Sequence, residues 1–466
     1  MTLSTHADGL DELFAYVGAQ MDRSIERLGE YLSRPSISVT GEGIAETAAH
    51  LAGWLTELGF DAVVHETPGH PVVVARRDGP PGRPTVLLYG HYDVQPPEPL
   101  DAWTTPPFEP TIRNGRIYAR GAGDNKGQHF AQLLAIETHL AVHGELPCGV
   151  VMVLDGEEEV GSPNLDAFVA DHRDELDDVD LVVTADGPMA DGDRARLILG
   201  CRGVLAFEIR IRGARRDLHS GNFGGAAPQP AWELVQLLAT MRAADGRITI
   251  DGGVGGRSPL VDDADLAAID AGGTTEAALR DVLGVERLEG PHDRSVAQRL
   301  ACWPTLTING VHSGWTGPGS KTVLPDEAWA ICDIRLVPGQ VGSDVFEHVR
   351  RHVADRCPHA EVTNLTAMEP SRTPVDSPWT PLVRGALAAA HGYEPDLVPI
   401  VGGSLPEHTW TGTLGKHAFI TPYANADEAN HAPDENLDLG CFAAGIRTGV
   451  ALLAALGQHA AASAAD

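Results

Sequence analysis

The sequence predicts an α/β protein in which a mixed sheet lies between helices and an α+β domain is inserted into the chain. Before Gly203, short apolar and β-branched runs alternate with stretches of helical periodicity, a pattern typical of a layered domain with a buried sheet. From Gly203 onward the runs alternate with period 2 instead, which indicates strands with one buried face. Helical periodicity and a buried strand return after Pro381, so the middle of the chain interrupts the first domain.

The individual elements follow in a regular order. Apolar residues at helical spacing predict two amphipathic helices, one covering Leu13 to Leu32 and one covering Ile44 to Leu58. The alternating segment at 328–338 predicts a strand of the inserted domain, whereas 251–300 is rich in Asp, Gly and Ala and has no clear period. Between the second helix and the inserted domain, the sequence predicts strands at 72–76, 85–90, 149–154 and 180–184 and a helix at about 127–142.

The length of 466 residues suggests two or three domains at roughly 100 to 200 residues each. We expect a discontinuous first domain made of residues 1–202 and 375–466, and an inserted domain made of residues 203–374.

Composition excludes several classes of protein. The 65 acidic and 34 basic residues give a formal charge of −31, which disfavours binding to nucleic acid and to anionic membranes. The six cysteines form no C-x-x-C pair, so neither a disulfide framework nor a cysteine zinc knot is indicated. The N-terminus lacks the pattern of a signal peptide, and the late apolar run at 450–456 is shorter than the ~20 residues of a membrane span. The prediction is a soluble, cytoplasmic protein.

Polar residues with possible chemical roles follow the predicted strands. His91 and Asp93 lie two residues apart after the strand at 85–90, so their side chains point the same way at a carboxyl end, where α/β folds bind ligands. A metal-bound imidazole usually needs a partner for its second ring nitrogen, and Asp93 can supply one. A turn that carries a surface His and Asp is the alternative interpretation.

Two further motifs carry carboxylates. In RGAGDNKGQ, residues 120–128, glycines allow a tight turn around Asp124 just before a helix; a simple helix cap is the alternative. Three glutamates at 157–159 follow another strand. Neighbouring carboxylates raise one another's pKa unless a cation or a proton is shared, so a metal site would explain this cluster better than a solvated loop. Asp186 and His431 are weak candidates when each is taken alone.

Taken together, these candidates form a coherent ligand set of two imidazoles and three carboxylates at successive strand ends. Such a set suits Zn²⁺ or Mn²⁺ with open positions for water and substrate. The absence of cysteine favours a catalytic over a structural site. The five candidate ligands are His91, Asp124, Glu159, Asp186 and His431.

A family resemblance rests on eight ordered motifs that span nearly the whole chain: GHYDVQPP, RGAGDNKG, EEEVGS, TADGP, DLHSGNFGG, SKTVLP with DIRLVP, GGSLP and NHAPDEN. They resemble the dinuclear metallopeptidases of the carnosinase and cytosolic nonspecific dipeptidase type, which are related to acetylornithine deacetylase, succinyl-diaminopimelate desuccinylase and carboxypeptidase G. The resemblance implies a phosphorylase/hydrolase-like catalytic domain and an inserted lid and dimerisation domain. It also implies a homodimer with two divalent metal ions per subunit, Zn²⁺ being preferred and Mn²⁺ the alternative.

The resemblance also implies roles for the ligand candidates. His91 and Asp186 would bind one metal, Glu159 and His431 the other, and Asp124 would bridge them.

The remaining roles implied by the resemblance concern catalysis and substrate. Asp93 would orient His91, Glu158 would be the general base, and Glu157 would lie outside the site. His219 would reach the active site of the partner subunit and stabilise the oxyanion. The residues expected to hold the C-terminal end of the substrate are Thr322, Arg335, Gly403 and Ser404.

The predicted reaction is hydrolysis of the amide bond of dipeptides or small amino-acid conjugates, in which Glu158 takes a proton from a metal-bridging water to leave hydroxide. In related dipeptidases an acidic residue tends to precede Gly-Gly-Ser and meets the substrate's amino group, but here the residue is Val401. An N-acyl amino acid deacylase or desuccinylase is therefore the first alternative. A metal-binding homologue without turnover is the second.

Overall fold

The computed structural model describes residues 7–272 and 275–459. Its internal contacts divide the chain into two units. The first contains the chain up to Leu199, Thr373–Val398 and the chain from Thr409 onward, and the second contains Gly200–Arg372 and Pro399–His408. The predicted boundaries place residues 399–408 in the first domain, whereas the structure groups them with the second unit. Those boundaries also include residues 1–6 and 460–466, which lie outside the described residues.

The helices are α1 Ala7–Leu32, α2 Ile44–Glu57, α3 Lys126–His143, α4 Leu165–Asp171, α5 Arg173–Leu176, α6 Ser220–Phe223, α7 Pro230–Met241, α8 Asp263–Gly272, α9 Glu276–Leu283, α10 Val296–Cys302, α11 Gly342–Arg356, α12 Thr380–His391 and α13 Leu439–Gln458. The strands are β1 Asp61–His65, β2 Val72–Arg77, β3 Thr85–His91, β4 Thr111–Arg113, β5 Arg116–Tyr118, β6 Gly149–Asp155, β7 Leu181–Thr184, β8 Arg196–Ile198, β9 Gly203–Arg212, β10 Leu218–His219, β11 Thr305–Ser313, β12 Val323–Leu324, β13 Glu327–Leu336, β14 Glu361–Met368, β15 Asp396–Val398, β16 His417–Ile420 and β17 Asn436–Asp438.

The first unit is built on an eight-stranded mixed sheet in the order β1-β2-β6-β3-β7-β16-β8-β15. Strands β6, β3, β7 and β16 run parallel at its centre, and β2 and β1 extend it in antiparallel fashion. All residues of β6 and β7 are buried, as expected for strands covered on both faces. The structure confirms the four predicted strands as β2, β3, β6 and β7 and the predicted helix at 127–142 as α3.

Successive residues of the central strands face two different cores, because side chains alternate across a strand. Leu88 and Met152 belong to the larger core, which also contains buried residues of α1, α2, α3, α12 and α13. Leu87 and Val151 belong to the opposite core, which contains Phe168 of α4. The predicted arrangement of a mixed sheet between helices is confirmed.

Helix α13 has 20 residues and is long and apolar enough to cross a membrane by length and composition. The late apolar run at 450–456 is thus part of a longer apolar helix, Leu439–Gln458. Within the structure, 67% of the most apolar stretch of this helix is buried, and the helix packs against α1, α3 and α12. Its apolar face therefore belongs to the core of the first unit.

The second unit contains a four-stranded antiparallel sheet in the order β11-β13-β9-β14. Buried and half-buried residues alternate along β9, which confirms the period-2 pattern seen in the sequence. Leu234 of α7 and Val349 of α11 pack on the buried face of this sheet together with Phe207 and Ile334. The segment without clear periodicity, 251–300, contains the short helices α8 and α9 and the start of α10.

Candidate metal centre

A small sheet of the first unit, in the order β17-β5-β4, joins two of the sequence motifs. Asn436 of β17 lies opposite Tyr118 of β5 in an antiparallel pair. In such a pair, the residues before one strand lie beside the residues after the other. The chain that leads into β17, with His431 and Glu435, is thereby placed next to the glycine-rich turn with Asp124.

His91 is the last residue of β3, Asp93 follows it by two positions, and both side chains are fully buried. The Nδ1 atom of His91 lies 3.1 Å from the main-chain oxygen of Asp93 and 3.3 Å from its carboxylate. The two oxygens of that carboxylate also accept hydrogen bonds from the backbone N–H groups of Glu158 and Glu159, at 3.1 Å each. Asp93 therefore fixes the His91 ring and the glutamate turn together, and the Nε2 atom of His91 faces the centre of the site.

Asp124 lies between the two histidines. One carboxylate oxygen is 3.1 Å from the Nε2 atom of His91, and the other is 3.2 Å from the Nε2 atom of His431. Burial raises the pKa of Asp124, but hydrogen bonds from His431 and His91 outweigh this and lower it below its usual value. This two-sided geometry is what a carboxylate that bridges two cations requires.

The three adjacent glutamates have three different environments. Glu157 is buried, and its carboxylate accepts hydrogen bonds from the backbone of His70 at 3.0 Å and from Asn164 at 2.7 Å. The carboxylate of Glu159 lies 3.0 Å from the Nε2 atom of His431. Burial and the nearby charge of Asp124 raise the pKa of Glu159 to about 7.

Glu158 lies between these two in the chain. Burial raises its pKa well above the usual value, and the charges of Asp186, Glu159 and Asp124 add to this effect, while His91 opposes it. A carboxylate with a raised pKa is a stronger base than a solvated one, which suits it to take up a proton.

Asp186 follows β7 and completes the cluster. One of its oxygens accepts a hydrogen bond from the N–H of Gly187 at 2.6 Å, and the other lies 3.7 Å from the Nε2 atom of His91. Burial raises its pKa to about 6, with a further contribution from Asp124. The five predicted ligands are thus brought together by five separate segments of the first unit.

The residues fit divalent cations. Among the described residues, one carboxylate oxygen of Glu159 and one of Asp186 are buried without a hydrogen-bond partner. Donor atoms of His91, Asp124 and Glu159 all lie within 4.8 Å of one another. Buried carboxylates left unpaired in this way are costly unless protons or cations neutralise them. The donor set of nitrogen and oxygen atoms matches Zn²⁺ or Mn²⁺.

Glu435 is a residue of this site that the sequence analysis missed. Its fully buried carboxylate accepts a hydrogen bond from Arg120 at 2.7 Å and three from the backbone N–H groups of Gly121, Gly123 and Asp124 at 3.0 Å. It therefore fixes the turn that carries Asp124. Arg120 and Glu435 lie in two of the recognised motifs, but their pairing is visible only in the tertiary structure.

Glu428, also missed, explains why Gly123 carries no side chain. A Cβ atom at Gly123 would lie 2.1 Å from a carboxylate oxygen of Glu428. Both oxygens of this buried carboxyl lack a hydrogen-bond partner among the described residues. Burial raises the pKa of Glu428 well above its usual value, as do the charges of Asp124 and Glu435.

The other predicted site residues lie in the second unit and form two local groups. His219 of β10 pairs with Val323 of β12, and the backbone N–H of Ser220 donates to the carbonyl of Thr322 at 3.1 Å. Arg335 of β13 donates to the hydroxyl of Ser404 at 2.9 Å. His219 and Thr322 are exposed, as is Gly403, which follows the half-buried Val401 and Gly402.

Comparison with known proteins identifies the family. The model of peptidase family M20/M25/M40 matches residues 87–455. The chain belongs to this family. It is 30% identical to the Cys-Gly metallodipeptidase dug1 of Schizosaccharomyces pombe over 460 residues, which cover 94% of this chain and 96% of that protein. It is 28% identical to the Beta-Ala-His dipeptidase of Rattus norvegicus, with 93% of this chain and 92% of that protein covered.

A solved structure agrees with this assignment. The M20 family metallo-carboxypeptidase Sso-CP2 from Sulfolobus solfataricus superimposes with a TM-score of 0.86 at 32% identity, covering 94% of this chain and 99% of that chain. The predicted resemblance, the fold class and the prediction of a metallopeptidase are confirmed. This M20 peptidase is metal-dependent and of the dipeptidase type, and neither alternative function is favoured.

Proposed function

We propose that this chain is a dinuclear metallodipeptidase of the cytoplasm that works as a homodimer and hydrolyses the peptide bond of dipeptides. Zn²⁺ is the preferred metal and Mn²⁺ the alternative. The names of the relatives support the substrate class, because they are a Cys-Gly metallodipeptidase and a Beta-Ala-His dipeptidase.

The observation that carries the proposal is the placement of Asp124 between two histidines, each of which lies beside a further carboxylate. His91 is close to Asp186, and His431 is close to Glu159. This arrangement supports two ligand groups that share Asp124, one for each of two cations. When bound, the cations would polarise the scissile carbonyl and lower the pKa of a water molecule.

The residues of this chain would divide the remaining work. The carboxylate of Glu158 takes the proton of the attacking water and delivers it to the nitrogen of the leaving amine. Asp93 holds the ring of His91 so that its Nε2 atom stays directed to the site. His219 donates to the oxygen that becomes negatively charged, in the active site of the partner subunit.

Substrate recognition would rest on Arg335, with Ser404, Gly403 and Thr322. The planar guanidinium suits the carboxylate at the C-terminal end of a dipeptide, because it can form two parallel hydrogen bonds. The hydrogen bond between Arg335 and Ser404 supports this role, since it limits the orientation of the guanidinium.

A paired substrate panel tests the proposal. The purified protein, reconstituted with Zn²⁺ or Mn²⁺, is assayed on free dipeptides, on the same dipeptides with an N-acetyl group and on tripeptides. We expect kcat/KM to be highest for the free dipeptides. A preference for the N-acetyl forms would overturn the dipeptidase proposal in favour of a deacylase. An absence of turnover on all members with metal bound would favour the catalytically silent homologue.

A further inference from the structure

We propose that Glu233, Cys357 and His359 form an additional metal site in the second unit, suited to one thiophilic divalent cation such as Zn²⁺. This site shares no residue with the proposed catalytic centre. This proposal and the proposed function can therefore be tested separately, and the failure of one does not affect the other.

Two of the three donors come from the turn that follows α11. The N–H of Cys357 donates to the carbonyl of Val353 at 2.7 Å and so ends the helix. The N–H of Ala360 then donates to the carbonyl of Cys357 at 3.0 Å, which closes a tight turn. The turn brings the Nε2 atom of His359 to within 3.7 Å of the Sγ atom of Cys357.

The third donor comes from the first turn of α7. A carboxylate oxygen of Glu233 lies 2.6 Å from the Nε2 atom of His359 and 3.9 Å from the Sγ atom of Cys357. Glu233 is separated from these residues by more than 120 positions in the sequence. The cluster is therefore a product of the tertiary fold.

The separations are close to those of a tetrahedral zinc site. Ligand distances of about 2.3 Å to sulfur and about 2.0 Å to nitrogen give a sulfur–nitrogen separation of about 3.5 Å, against the observed 3.7 Å. On binding, the distance between His359 and Glu233 must widen from 2.6 Å and that between Cys357 and Glu233 must shorten from 3.9 Å. His359 is free to make this adjustment because 55% of its side chain is exposed.

The chemistry of the donors favours a metal over a simple ion pair. Thiolate, imidazole and carboxylate are together the ligands that zinc prefers, and three protein ligands leave the fourth position for water. On binding, the thiol of Cys357 loses its proton to solvent and the metal–sulfur bond replaces the S–H bond. Cys357 is buried, whereas His359 is exposed, so a cation can enter from the solvent side.

Cobalt substitution tests the site without relying on activity. The metal-free protein is titrated with Co²⁺, and the near-ultraviolet absorption of cobalt–thiolate bonds is followed. The predicted catalytic ligands include no cysteine, so this absorption reports the new site alone. We expect one thiolate-bound Co²⁺ per chain in the wild type and complete loss of the band in Cys357→Ser. Cys441→Ser serves as the matched control, because Cys441 is similarly buried, and it should retain the band.

Glu233→Gln and His359→Gln provide a second test if Cys357→Ser fails to fold. Both carry the thiol but lack one other ligand, so the band should appear only at higher Co²⁺ concentration. The proposal is overturned if the folded wild type gives no thiolate band, or if the band persists in Cys357→Ser. It is also overturned if these two ligand variants titrate like the wild type.

Discussion

The candidate metal centre of the first unit and the candidate catalytic and substrate-binding residues of the second unit are built in contrasting ways. Asp93 and Glu435 are fully buried, and each fixes a loop that carries metal ligands through several hydrogen bonds. His219 and Thr322 are exposed, and the ring of His219 accepts one hydrogen bond, from Gly221 at 3.1 Å. The proposed metal ligands are thus held in place by buried groups, whereas His219 and Thr322 are accessible to solvent.

The substitution with the largest expected effect is Glu158→Gln, which removes the proposed base from the candidate metal centre. We expect kcat/KM for a hydrolysed dipeptide to fall by about 10²- to 10⁴-fold, because general base catalysis is lost. Metal content, measured by elemental analysis, should stay unchanged. Glu157→Gln is the matched control, and since this neighbour bonds to His70 and Asn164 instead, it should lose far less activity. Equal losses in both variants would contradict the assignment of the base.

His219→Ala tests the exposed histidine that is proposed to stabilise the oxyanion. Loss of a donor to the oxyanion should lower kcat by about 10²- to 10³-fold with the metal content intact. Mixing and re-forming dimers of His219→Ala and Glu158→Gln subunits should restore part of the activity, because one composite site in each mixed dimer has both groups. An inactive mixture would contradict action across a subunit interface.

Glu435→Gln tests whether the metal centre depends on its buried support. The variant leaves the Arg120 guanidinium without its buried partner, so we expect a loss of about 3 to 5 kcal/mol in the free energy of unfolding. Metal affinity should fall by about 10- to 100-fold, because the turn with Asp124 is less well fixed. Denaturant unfolding and metal titration measure the two effects. Asp434→Asn, a change at the more exposed neighbouring carboxylate, should have little effect on metal affinity.

The smallest expected effect concerns the pH dependence of thermal stability after metal removal. The pKa values of Glu159, about 7, and Asp186, about 6, are raised in the folded chain, so that state holds extra protons between about pH 4 and those values. Their stabilisation is present at low pH and lost as the pH rises through 6 to 7. Hydrogen bonds to Asp124 and Glu159 raise the pKa of His431 to about 10, which acts in the same direction.

We therefore expect the metal-free protein, prepared with a chelator, to have a lower Tm at pH 8 than at pH 5. Zn²⁺ should raise the Tm more at pH 8 than at pH 5. The measurement is thermal unfolding at both pH values, with and without the metal. A higher Tm of the metal-free protein at pH 8 than at pH 5 would contradict the raised pKa values of this buried carboxylate cluster.

Much of the first unit was predictable because its strands are long, apolar and buried. The sequence placed β2, β3, β6 and β7 within two residues of their ends. Three of the five ligand candidates lie at or after the ends of β3, β6 and β7. The three-residue strands β4, β5 and β17 were not predicted, because segments this short show no periodicity. Their pairing is nevertheless what places His431 beside Asp124.

Glu435 and Glu428 were not predicted because the sequence analysis considered only the histidine of their motif as a site residue. Both acids flank His431 in a stretch of polar residues, and nothing in that pattern distinguishes a buried carboxylate from a solvated one. Only the tertiary structure shows that Glu435 bonds to Arg120 and that Glu428 fills the space beside Gly123. The grouping of residues 399–408 with the second unit likewise depends on contacts between residues distant in sequence.

The hydrogen bond from Asp124 to Glu435 joins residues 311 positions apart, and this has a consequence for synthesis in the cell. During translation, the loop with Asp124 emerges long before the segment that supports it. A ribosome-bound chain that stops short of His431 has neither the last ligand nor the carboxylate that holds the loop. With His431 as a proposed ligand and Glu435 as the support of the Asp124 loop, we expect peptide cleavage to begin only after synthesis has passed residue 435.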